Sequence, residues 1–216
     1  MPNKGKFAQI ILVAALVAGA SYLFAANSDE VSTATLAWKG AGVWLLAVYA
    51  MLATRGTDGG LLTGVMAFGA LGDVLVESNL TVGALAFIAG HVLAIVMYWR
   101  NRRQKLSGSQ KGLAAAVIVF VPMIAWFLLR DGTIVVYALI LALMAAAAWT
   151  SRFPRYRVGI GAMLFVASDL LIFANMEVLD QEPLVNLLIW VLYFTGQAMI
   201  TIGVVQTLNH DQDSYA

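Results

Sequence analysis

Two aspartates lie inside long apolar runs, Leu71-Gly72-Asp73-Val74-Leu75-Val76 and Ala167-Ser168-Asp169-Leu170-Leu171-Ile172. A charged side chain at membrane depth costs about 2.5–3.5 kcal/mol on insertion scales, so it tends to face the bundle interior and to mark a pathway or a site. Gly69 and Gly72 flank Asp73, and Ser168 and Ala162 accompany Asp169. Small residues of this kind let helix backbones approach closely, which aims both acids at other helices rather than at lipid. Lys39, His91, Asn186, Tyr193 and Gln197 are further polar groups at membrane depth. A rise of ~1.5 Å per residue puts Lys39 about one turn below the outer face, the aspartates in the outer half, and His91 and Gln197 near the middle. All are expected to line one cavity opening toward the outer leaflet. Asn186, Trp190, Tyr193, Gln197 and Thr201 follow helical spacing and form one stripe. Taken singly, Asn186, Gln197 and Ser168 read as helix cross-links, His91 as a packing residue, and Lys39 as an interfacial anchor whose stem snorkels. The two aspartates together carry the case for chemistry.

The elements that must position these groups follow from composition. Of 216 residues, 61% are hydrophobic and 12% charged, with mean hydropathy +0.83. Soluble domains carry about 25% charged residues, so this chain cannot cover a water-soluble fold. Cytosolic enzymes, disordered chains and nucleic-acid binders are excluded. With no cysteine, disulfides, thiolate metal sites and cysteine nucleophiles are excluded too. Two histidines without HExxH argue against a zinc hydrolase, and no GxSxG elbow is present. No cofactor or metal is expected.

Crossing the hydrocarbon takes about 20 apolar residues. Eight windows qualify: 7–26, 35–53, 59–76, 80–99, 112–129, 133–150, 158–175 and 183–208. The expected fold is all-α, a polytopic bundle of eight transmembrane helices forming a single membrane domain over 1–216. With a cytoplasmic N-terminus, Lys4, Lys6, Arg55, Arg100, Arg102, Arg103, Lys105, Lys111, Arg152, Arg155 and Arg157 fall inside and Arg130 falls outside. Asp29, Glu30, Asp131, Glu177, Asp180 and Glu182 collect on the opposite face, with Glu77 at its edge. This segregation obeys the positive-inside rule and points to a bacterial inner membrane with both termini cytoplasmic. Lys4 and Lys6 ahead of Ala18-Gly19-Ala20 have features of a cleaved signal, but the run continues to Ala26, so the first span is expected to be retained.

The aspartate runs also suggest an internal repeat. Phe87-Ile88-Ala89-Gly90-His91 rhymes with Tyr193-Phe194-Thr195-Gly196-Gln197, and four spans separate each matching pair. The halves, 1–105 and 106–216, would then be parallel, related by an axis along the membrane normal.

The chain resembles the YhhN family, whose animal members are lysoplasmalogenases. The resemblance rests on Trp38-Lys39-Gly40, Gly72-Asp73, Gly90-His91, the segment Gly161-Ala162-Met163-Leu164-Phe165-Val166-Ala167-Ser168-Asp169, and Tyr193 with Gln197. Gly40 departs from the proline common in the family after the lysine. The resemblance implies hydrolysis of the vinyl-ether bond of lysoplasmalogens, giving a fatty aldehyde and a glycerophospho-base. It implies that Asp73 and Asp169 are the catalytic pair. A vinyl ether opens by protonation of its β-carbon, and water then attacks the resulting oxocarbenium ion. One carboxyl would deliver the proton while the other, ionised, would steady the cation and orient water. Lys39 would meet the lipid phosphate, and His91, Asn186, Tyr193 and Gln197 would hold substrate or water. The expected partners are a lysophospholipid, water and surrounding membrane lipid. The alternative is a small carrier or lipid translocator that uses intramembrane Asp and His as proton or cation sites.

Overall fold

The computed structural model describes residues 2–26, 32–179 and 182–214. Asp29, Glu30 and Asp180, assigned above to the acidic face, lie outside the described residues. Eight helices follow one another: α1 Pro2–Ser21, α2 Thr33–Ala53, α3 Gly56–Ser78, α4 Leu80–Arg100, α5 Gly108–Leu129, α6 Gly132–Thr150, α7 Ile160–Glu177 and α8 Pro183–Ser214. A 3₁₀ turn, Tyr22–Phe24, extends α1, and a π turn, Arg155–Gly159, leads into α7. All eight are long and apolar enough to cross a membrane. The described residues contain no strand.

Helix starts are set by side chains that accept from otherwise unpaired backbone N–H groups. Ser32 accepts from Thr35 N at 3.1 Å while Ser32 N donates to Thr35 Oγ1 at 2.9 Å. Asn79 caps α4 through Val82 N, and Asp131 caps α6 through Thr133 N. Ser107 and Gln110 form a reciprocal box, which starts α5 at Gly108, earlier than hydropathy alone suggests. Of the basic stretch 100–111, residues 101–107 are therefore the connection, and Arg100 and 108–111 belong to the flanking helices. At the other end of α5, Arg130 takes a left-handed conformation, φ 52°, and its guanidinium lies over the Trp126 and Phe127 rings.

The bundle is filled unevenly. Toward the end bearing both termini, Leu46, Leu62, Met66, Met97, Tyr98, Val158 and Val204 are almost completely buried. At that face the connections are tied together. Asp58 accepts from Arg100 Nε at 2.8 Å and Asn101 Nδ2 at 2.9 Å. Arg152 Nε donates to Asn101 Oδ1 at 2.7 Å, and Arg152 Nη1 donates to Asp211 at 2.6 Å. Toward the opposite face the core opens into a cavity.

Two of the helix crossings built on glycine lie next to the aspartate helices. A Cβ on Gly90 would lie 3.3 Å from Val65 O, so α4 rests on α3. A Cβ on Gly161 would lie 2.8 Å from Gly196 O, so α7 and α8 touch backbone to backbone. Gly40, where the family resemblance leads one to expect proline, lies in an unbroken α2; its absent Cβ leaves room for Val74 and Ala70 O of α3.

Candidate functional site

Asp73 sits late in α3 and Asp169 midway along α7, and both are buried, at 3% and 4% exposure. Neither faces lipid. They line a common cavity of about 640 Å³, to which Lys39, Tyr137, Asn186 and Tyr193 also contribute. Ala26, Leu80, Asp131 and Asn175, all near helix ends, border it as well, so it reaches the face opposite the termini. Its volume is in the range of ligand-binding clefts. A further concavity of about 670 Å³, among Gln9, Tyr49, Gln206 and His210 at the termini face, contains no carboxyl.

Gly69 and Gly72 let neighbours close around Asp73. A Cβ on Gly69 would lie 3.0 Å from Gln197 Nε2 and 3.6 Å from the Tyr193 hydroxyl, and one on Gly72 would strike the Phe87 ring at 2.8 Å. Asp73 Oδ2 is buried without a hydrogen-bond partner. The Tyr193 hydroxyl stands beside the Asp73 carboxyl and accepts from Gln197 Nε2 at 3.3 Å.

Asp169 is better supplied with donors. Tyr137 on α6 donates its hydroxyl proton to Asp169 Oδ2 at 2.6 Å. Ser168 Oγ, which donates to Phe165 O at 2.7 Å, lies 3.3 Å from Asp169 Oδ1. Sequence reasoning missed Tyr137. Its only signal was a polar tip within an otherwise aliphatic stretch of the sixth span.

The remaining residues divide between the cavity and its floor. His91 and Gln197 do not line the large cavity with the aspartates, as depth alone suggested. They line a void of about 10 Å³ beneath it, together with Phe87, Phe165 and Tyr98. The reason is an aromatic layer that separates the two levels. Phe165 packs edge-on against Tyr193 and His91, each at 5.1 Å between centroids, and Phe87 packs edge-on against Tyr193 at 6.1 Å. His91 Nε2 and the Tyr98 hydroxyl are buried without protein partners, and the void is about the size that holds one water.

Lys39 reaches the cavity but is not a free cation, because its ammonium pairs with Glu77 at the mouth. Asn186 accepts from Asn175 Nδ2 at 2.8 Å, and Asn175 Oδ1 accepts from Glu182 N. Asn175 was also not anticipated; it ties α7 to Glu182 and to Asn186 of α8. Of the five-residue stripe on α8, Trp190, Tyr193, Gln197 and Thr201 are buried, while Asn186 is half-buried at the cavity. Trp190 Nε1 donates to Gly19 O at 2.8 Å, and Thr201 Oγ1 donates to Met66 Sδ at 3.0 Å.

No group of three or more metal-ligating side chains occurs among the described residues. What the cavity brings together is two buried carboxyls, an ion pair at the mouth and a wall of aromatic and aliphatic side chains. Such a set suits proton transfer to or from an amphiphile. No curated protein and no solved structure matches the chain. A family model does match, over residues 34–204 from the start of α2 into α8, and the chain belongs to the YhhN family.

Proposed function

We propose that this membrane protein hydrolyses the vinyl-ether bond of lysoplasmalogens. The observation that carries the reading is the placement of Asp73 and Asp169 on one cavity of about 640 Å³ that reaches a single face of the bundle. The lipid enters with its head group at the Lys39–Glu77 pair and its vinyl ether between the carboxyls. One aspartic acid protonates the β-carbon, and the electron pair of the double bond forms the new C–H bond. The resulting oxocarbenium ion faces the other, ionised carboxyl, which lowers the cost of the charge where it develops. Water adds to the cationic carbon and loses a proton to that carboxylate. The hemiacetal then loses its hydroxyl proton to the first carboxylate while the second, now protonated, carboxyl protonates the departing glycerol oxygen. The C–O bond breaks to give a fatty aldehyde and a glycerophospho-base, and both carboxyls return to their starting forms.

Lys39 and Glu77 suit a zwitterionic head group. Phosphate takes the ammonium of Lys39, and the released Glu77 carboxylate meets the amine of the lipid. Each charge thereby exchanges one partner for another instead of being left unpaired, which would be costly in a partly desolvated mouth.

A carrier would need a path to both faces. Below the aromatic layer, Met66, Met97, Leu46 and Leu62 fill the bundle with no measurable exposure, which favours a dead-end reaction chamber. The test is direct. Purified protein in detergent, given a lysoplasmalogen, releases free aldehyde, and it releases none from the saturated ether analogue, which has no β-carbon to protonate. Failure to release aldehyde from the vinyl ether overturns the hydrolase reading and leaves the carrier.

A further inference from the structure

Two carboxyls facing one apolar cavity do not both ionise readily, because the second negative charge is opposed by the first and by desolvation. The pair therefore resists carrying two negative charges at once, and the surrounding donors decide which carboxyl keeps a proton. We propose that Asp73 holds that proton as a neutral acid, while Asp169 is the carboxylate, kept so by the hydroxyl of Tyr137. The assignment rests on the proposed hydrolysis only for its catalytic meaning; the protonation pattern is a property of the resting protein.

The two carboxyls have unequal neighbours. Asp169 has a hydroxyl next to each oxygen, Tyr137 at 2.6 Å and Ser168 at 3.3 Å. The length suits an O–H donor meeting an ionised oxygen. Thr54 meets the neutral Ala50 carbonyl at the same 2.6 Å, so it is the donor itself, not the distance, that favours a carboxylate at Asp169. Asp73 has the Tyr193 hydroxyl beside it, but its Oδ2 has no partner at all. Lys39 is the cation that approaches Asp73, and its ammonium is paired with Glu77. Pairing with Glu77 offsets part of the pull of the ammonium on Asp73, and an Asp73 oxygen without a partner makes a carboxylate there costly in a buried site. In the reaction, Asp73 is then the donor to the β-carbon. Asp169 is the group that faces the cation and later accepts the proton of water. Tyr137 is a positioning residue: it acts through Asp169 and its ring is held against His91 and Phe173.

The first test needs no substrate. Infrared spectra of the purified protein at neutral pH should show the carbonyl stretch of a protonated carboxylic acid. Asp73→Asn should remove that band, and Asp169→Asn should leave it. Tyr137→Phe should add a second protonated-acid band, because the donor that favours the Asp169 carboxylate is gone. If Asp169→Asn removes the band, or neither change alters it, the assignment is overturned. The second test uses turnover. Tyr137→Phe keeps the ring and should lower kcat by about 10–100-fold, the loss expected for one hydrogen bond to a charged group, with KM unchanged. In an Asp169→Asn background the same change should have no further effect, since its only route is through that carboxyl. An additive loss, or a rise in KM alone, would make Tyr137 a packing or binding residue. An inactive wild type that still gives the predicted spectra would sink the hydrolase reading and leave the division of protons standing.

Discussion

The first four helices and the last four put similar groups in different company. Asp73 stands eight residues beyond Val65 on α3, and Asp169 stands eight beyond Gly161 on α7. In each case the following helix crosses at that earlier position through a glycine, Gly90 on α4 and Gly196 on α8. The aromatic and polar groups then interlock across the middle of the bundle. His91 of α4 packs on Phe165 of α7, and Gln197 of α8 lies against Gly69 of α3. What differs is the helix that precedes each acid. In the first half, α2 brings Lys39 and with it the ion pair to Glu77. In the second, α6 brings the Tyr137 hydroxyl directly onto Asp169. Similar scaffolding thus gives two identical side chains unlike partners, which is the basis of the unlike roles proposed for them.

The most severe way to break that comparison is to remove either carboxyl. Asp73→Asn and Asp169→Asn preserve shape, and each should lower aldehyde release by about 10³-fold or more, the scale of general acid or base catalysis. If they act as a unit, the double variant should lose little beyond either single one. Folded yield, read by size-exclusion chromatography, should hold, because at Asp73 one neutral group replaces another of the same shape and at Asp169 a neutral amide is easier to bury than a carboxylate. A well-folded Asn variant with near-normal turnover would remove that aspartate from the chemistry.

Next come the crossing points, which should differ between halves. A methyl on Gly161 would meet Gly196 O at 2.8 Å, backbone that cannot turn aside. Gly161→Ala should therefore destabilise by about 1–3 kcal/mol, the range for overpacking. At Gly90 the approach to Val65 O is 3.3 Å, and the strain is offset by the roughly 1 kcal/mol that alanine gains over glycine in a helix. Thermal unfolding in detergent should show a clear loss for Gly161→Ala and little change for Gly90→Ala. Equal losses would mean that the two crossings are equally tight.

Lys39 is the feature that the first half has and the second lacks. Lys39→Gln should raise KM about tenfold, roughly one charge-assisted hydrogen bond, and leave kcat nearly unaltered. A fall in kcat alone would move Lys39 from head-group binding into the proton chemistry.

How much of this was legible beforehand depends on range. Eight spans could be read because hydropathy is a local property, and each run is long enough to span by itself. The burial of Asp73 and Asp169 could be read because Gly69, Gly72 and Ser168 sit on their own helices. The pairing of Lys39 with Glu77 could not, since it joins positions 38 residues apart. Tyr137 was hidden for the same reason: its role depends on α6 meeting α7, and nothing within its own run announces that. The depth argument put His91 and Gln197 in the cavity because it counts residues along helices and ignores what lies between them. Phe87, Phe165 and Tyr193 close a layer there, and only three-dimensional packing reveals it.

The smallest expected effect lies at the termini face, where the starts of α3 and α7 differ. Asp58 in the first turn of α3 accepts from Arg100 and Asn101, and an acid there also complements the positive end of the helix dipole. The start of α7 has a π turn, Arg155–Gly159, and no acid in its first turn. Asp58→Asn leaves an amide oxygen to accept from Asn101 but removes the charge facing Arg100. Arg100 has half of its side chain exposed, so solvent screens the pair and the expected cost is about 0.2–1 kcal/mol. The cost should shrink as salt rises, because exposed charges are screened. Aldehyde release should stay at the wild-type rate, because the filled core separates this face from the aspartates. A loss of turnover without a loss of stability would show that the α3 start and the cavity are coupled, and that the two ends of the bundle do not act independently.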